Sequence, residues 1–139
     1  MKDTAKIVEE LGLCSDFKTF YDENKEYMIK EDLASLLEKL MEKYGLQKTK
    51  VISASEINEI YAYQIFSGTR IPKRKKLLCL AIAMGLSLDE VQTLLKCAGY
   101  STLYVKNPFD CVVIYGICKK LSVLEINNML FDYGLETLG

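Results

Sequence analysis

The sequence predicts an all-α protein, on three observations. Apolar residues recur at helical spacing along most of its 139 residues. Capping residues, prolines and glycines punctuate that pattern as helix starts and stops. Only one short segment, Leu103-Tyr104-Val105 after Gly99, looks extended.

Taken in order, Ile7, Leu11 and Leu13 fit one helix, and Phe17, Phe20, Tyr21, Tyr27 and Met28 place apolar anchors between charges. Residues 1–30 are therefore expected to be an N-terminal arm packed on the main body, too apolar for a free tail. Leu33, Leu36, Leu37, Leu40, Met41 and Tyr44 form one apolar stripe, opened by Glu31 or Asp32 and stopped by Gly45. A short helix follows over about Lys48–Ala54. After a turn at Ser55–Ile57, Asn58 caps a second helix over Glu59–Phe66. Ser67-Gly68-Thr69 ends that helix, and Pro72 opens the next. Ser87 with Glu90 makes a capping box for a helix running to Gly99. Asn107-Pro108 starts another, to about Lys120. Ser122 with Glu125 repeats the box, and Gly134 is the stop.

The two boxes belong to a longer echo. Leu86-Ser87 through Gly99 returns 35 residues later as Leu121-Ser122 through Gly134, each copy preceded by an apolar helix opened near a proline. A duplicated helical hairpin and a shared capping pattern both account for it.

Composition excludes several functions. With no histidine, the chain has no Ser–His or Cys–His nucleophile pair and no Cys₂His₂ zinc site. No glycine-rich phosphate loop and no metal-ligand spacing are present, so neither enzyme activity, cofactor nor metal is expected. The start lacks the apolar core of a secretory signal, and the longest apolar run, Leu77–Leu86, is ten residues. A cytoplasmic protein without a membrane span is the expectation. The five cysteines include no C-x-x-C pair. Cys79 and Cys97 lie in apolar helical patterns, and Cys111 and Cys118, seven apart, share a helix face; core packing is expected of them.

Residues 48–76 carry the informative motif. Two short helices joined by a tight turn form the helix-turn-helix plan, whose second helix enters the DNA major groove. The exit Gly68-Thr69-Arg70-Ile71-Pro72, followed by Leu77 through Val91 with its Gly85-Leu86-Ser87-Leu88-Asp89-Glu90, resembles the lambda-repressor-like, XRE-type bacterial regulators over about residues 32–99. The resemblance implies a five-helix DNA-binding domain over residues 31–100, to which the sequence adds a C-terminal helical hairpin, residues 101–139, on the same core. The sequence departs from the family pattern at Ile52, where a small residue is preferred, and at Glu56, where the turn favours glycine. A non-glycine in a left-handed turn costs about 1 kcal/mol, so a reshaped turn is expected there.

With Val51, Ile57, Ala62 and Ile65 packed inward, Glu59, Ile60, Tyr63, Gln64 and Ser67 face outward together. The resemblance makes these the base-facing positions: Gln64 for adenine, Glu59 for cytosine N4, Ile60 for a thymine methyl. Phosphate contacts are expected from Lys48, Lys50, Thr69, Arg70, Lys73, Arg74 and Lys76. The partner is then double-stranded DNA, read by a homodimer formed through residues 108–134, where Phe109, Val112, Val113, Ile117, Ile126, Met129 and Leu130 exceed what one hairpin buries. A protein-interaction adaptor is the other reading, because the outward face has no basic residue and does have Glu59, Ile60 and Tyr63.

A net charge of −1 argues against a nucleic-acid binder only when summed. Residues 45–80 carry seven basic and two acidic side chains; the remainder carries 11 and 17.

Overall fold

The computed structural model describes residues 3–27 and 32–139, and among these every regular element is helical. Met28 and Glu31 lie outside the described residues. The chain divides into two compact units after Lys30.

The first unit holds α1 (Thr4–Leu13), α2 (Phe17–Asn24) and a 3₁₀ turn at Lys25–Tyr27. Asp3 caps α1 by accepting from the Lys6 N–H at 2.8 Å. Asp16 caps α2 through the Lys18 N–H and the Thr19 hydroxyl. No α1 residue is fully buried, whereas Phe20 and Asn24 of α2 are.

The second unit holds α3 (Leu33–Lys43), α4 (Lys48–Ser55), α5 (Glu59–Ser67), α6 (Arg74–Ala83), α7 (Leu88–Cys97), α8 (Pro108–Cys118) and α9 (Val123–Asp132). One hydrophobic core runs through all seven. Its centre is α6, where Leu77 to Ile82 are all buried, because α4, α7 and α9 enclose it. Local signals set the ends. Asp32 opens α3, and Ser87 and Ser122 make complete capping boxes with Glu90 and Glu125. Asn107 caps α8 with Pro108 in its first turn.

The two hairpins α6–α7 and α8–α9 close alike, with one difference. The first turn has Gly85 at φ 67; the second, 35 positions on, has Lys120 at φ 58. Lys120 Nζ reaches back to the Gly85 and Leu86 carbonyls, at 2.6 and 3.3 Å. α8 and α9 meet at Gly116, where any β-carbon would enter the space of the Ile126 side chain.

Several expectations are corrected here. Leu103-Tyr104-Val105 is no strand: the Gln92 side-chain amide satisfies both the N–H and the C=O of Leu103, and a turn begins at Val105. Cys111 and Cys118 do share a face of α8, but it is the exposed one; Cys79 alone of the five cysteines is buried. Val113, Ile117, Ile126 and Leu130 are core residues rather than surplus apolar surface.

Candidate nucleic-acid interface

α4 and α5 are held together by their inward residues. Val51, Ile52, Ile57, Ala62, Ile65 and Phe66 are all buried, so Ile52 is accommodated in the core. The turn is not reshaped. Glu56 adopts the left-handed conformation itself, φ 59 and ψ 20, where glycine would be unstrained. Buried Ser55 supports it, its hydroxyl donating to the Ile52 carbonyl at 2.7 Å and accepting from the Ile57 N–H. Asn58 then caps α5 by accepting from the Tyr61 N–H at 3.1 Å.

Fixing Ala62 and Ile65 inward turns the opposite side of α5 to solvent. Ile60 is 70% exposed and Tyr63 40%, Glu59 and Ser67 are exposed, and Gln64 is half-buried. The Ser67 hydroxyl is occupied by the Gln64 carbonyl and the Thr69 hydroxyl, 3.1 and 2.8 Å away.

Two hollows flank this face, and they differ in charge. One, of about 570 Å³, is lined by Thr49, Ser53, Glu56, Glu59 and Tyr63. The other, of about 390 Å³, is lined by Ile60, Tyr61, Gln64, Arg70 and Lys76. Asn58 borders both. The acidic residues therefore sit at one side of α5 and the basic ones at the other. Thr49 and Ser53, four apart on α4, were not among the expected contacts. Their shared face is legible from helical spacing once Val51 and Ile52 are placed inward. Asn58, a capping residue on sequence grounds, also borders both hollows.

The expected phosphate-binding residues divide into groups. Lys50 and Lys73 are exposed and Lys76 half-buried; none of the three forms an ion pair among the described residues. Arg70 is exposed, its guanidinium 5.1 Å from the Tyr61 ring centroid. That tyrosine hydroxyl also accepts from the Lys73 N–H at 3.2 Å, tying the exit loop to α5. Lys48 is held by Glu38 at 2.6 Å and lies over the Phe66 ring.

Arg74 departs from the expectation. Its guanidinium turns away from this face and is consumed by Asp110 and by the Ser101 and Thr102 carbonyls. Its neighbour Lys75 pairs with Glu136 at 3.0 Å.

Elsewhere, no group of three or more Cys, Asp or Glu side chains among the described residues could hold a metal ion. No described helix is long and apolar enough to cross a membrane. Compared with protein-family models, with curated proteins and with solved structures, the chain matches none.

Proposed function

We propose that the second unit is a sequence-specific DNA-binding regulator of the lambda-repressor-like kind, with α3–α7 as its five-helix domain and α4–α5 as its helix-turn-helix. One observation carries this reading: a hollow beside the outward face of α5 is lined by Arg70 and Lys76, and neither these two nor Lys50 and Lys73 form an ion pair among the described residues. Phosphates would complete those cations, while Gln64, Glu59 and Ile60 meet base edges. Lys48 would join them by leaving Glu38, an exposed pair worth little in itself.

Titration with random duplex DNA at several salt concentrations tests this. Four phosphate contacts per protomer give log K against log salt a slope of about −3.6. Absence of binding at about 50 mM salt, where non-specific attraction is strong, would refute the reading.

A second reading, a protein-binding adaptor with the same fold, is favoured by the exposed Tyr63, which lines one hollow with Glu56 and Glu59, and by Ile60, 70% exposed on the same helix. Apolar side chains bordered by carboxylates suit a protein surface better than a phosphate backbone. The same titration separates the two, since an adaptor gives no salt-dependent DNA binding.

A further inference from the structure

The chain between α5 and α6 has little of its own to hold it. Thr69 and Arg70 both donate their N–H to the Gln64 carbonyl, which closes α5. Ile71 forms no hydrogen bond among the described residues, and it is 71% exposed. Pro72 is buried, and a proline has no N–H to offer. Yet this segment carries two exposed cations, Arg70 and Lys73.

Two tyrosines supply the hold, and both act on one peptide unit. The Tyr100 hydroxyl donates to the Pro72 carbonyl at 2.6 Å, and the Tyr61 hydroxyl accepts from the Lys73 N–H at 3.2 Å. That carbonyl and that amide belong to the same planar Pro72–Lys73 peptide, so its orientation is fixed from both sides. Each tyrosine is anchored in turn. Tyr61 stands in the first turn of α5, its amide on the Asn58 side chain. Tyr100 follows the left-handed Gly99, and its own N–H closes α7 on the Leu95 carbonyl at 2.8 Å. Both tyrosines are half-buried, and the Arg70 guanidinium lies 5.1 Å from the Tyr61 ring centroid.

We infer that Tyr61 and Tyr100 are positioning residues for DNA, clamping the Pro72–Lys73 peptide so that Arg70 and Lys73 are set for phosphates before a duplex arrives. The inference rests on the DNA reading. A cation already in place loses less freedom on binding, so the clamp raises affinity without adding a contact. Tyr100 acts from the end of α7, outside the helix-turn-helix, and lines neither hollow beside α5.

Titration of the full chain with random and selected duplexes, paired with amide hydrogen exchange at Lys73, tests the clamp. Tyr100→Phe removes one hydroxyl and no charge. It should bind every duplex about threefold to tenfold more weakly, the effect of one lost hydrogen bond. Without DNA, its Lys73 amide should exchange severalfold faster than the parent's. Tyr44→Phe is the control, because it removes a hydroxyl that bonds Glu90 instead. It should lower stability and move neither readout. Should Tyr100→Phe fail to fold, Tyr61→Phe decides; it keeps the ring beside Arg70 and should show the same uniform loss. Parental affinity in a folded clamp variant would overturn the inference. So would an equal loss from Tyr44→Phe, or unchanged Lys73 exchange in Tyr100→Phe. Failure of the DNA reading looks different, since the parent itself then leaves DNA unbound, and it takes the inference with it.

Discussion

Arg74 and Asp110 meet as fork and carboxylate, Nη1 and Nη2 lying 3.1 and 3.2 Å from Oδ1 and Oδ2. The pair joins the start of α6 to the start of α8, and its surroundings complete it. Asp110 also accepts from the Tyr104 N–H, and Arg74 donates to the Ser101 and Thr102 carbonyls. Arg74→Ala strands a carboxylate whose side chain is only 8% exposed, so it should cost about 3 kcal/mol in urea unfolding. Arg74→Lys should recover only part, because one ammonium cannot serve both prongs. The DNA affinity of folded Arg74→Ala should stay close to the parent's; a large loss would return this residue to the phosphate set.

Glu56 occupies a backbone conformation that suits glycine. Glu56→Gly should therefore raise stability by about 1 kcal/mol, seen as a higher urea midpoint with an unchanged slope. It also removes a negative charge beside α5, so DNA binding should strengthen. A less stable variant would mean that the Glu56 side chain contributes more than the turn costs.

Gln64 and Lys76 border the same hollow but should behave differently on DNA. Lys76→Ala should weaken all duplexes alike and reduce the salt slope by about 0.9. Gln64→Ala should lose about 1–3 kcal/mol of discrimination at a single position of a selected site. Equal losses on every sequence from both variants would place the base-reading face elsewhere.

Glu90 ties α7 to α3. Burial alone would raise its carboxyl pKa. The Ser87 N–H, Lys43, and the Tyr44 and Ser87 hydroxyls oppose that and hold it at about 2, against an ordinary 4.5. A group lowered on folding stabilises above its unfolded pKa, and that contribution disappears as pH falls through the folded value. Stability should therefore drop between about pH 4.5 and pH 2. Glu90→Gln retains a capping-box acceptor without the charge, so its stability should change less over that interval. Parallel profiles for parent and variant would argue against the assignment.

Gly116 gives α8 its close approach to α9. Gly116→Ala should destabilise by about 1–3 kcal/mol through overpacking against Ile126, read as a lower thermal midpoint. If the midpoint rises instead, the two helices can separate without cost.

What was legible in the sequence was what is encoded locally. Ser87 with Glu90 and Ser122 with Glu125 announce their helix starts within four residues, so those starts were readable. The outward face of α5 was readable too, since Ala62 and Ile65 fix its rotation and the remaining angles follow. Contacts between distant residues were not. Asp110 lies 36 residues from Arg74, and nothing near Arg74 distinguishes it from Lys73 or Lys76. Gln92 supplies the partner that Leu103 would otherwise find in a neighbouring strand. For Cys111 and Cys118, their spacing gave the shared face but not its direction.

The Lys120 lock has a direction in time. Its ammonium needs the Gly85 and Leu86 carbonyls already turned outward, while that earlier turn, closed by a glycine, asks nothing of Lys120. On a chain emerging N-terminus first, the acceptor is synthesised 35 residues ahead of the donor. The fastening between the two copies of the repeat therefore runs one way, the second turn donating and the first accepting.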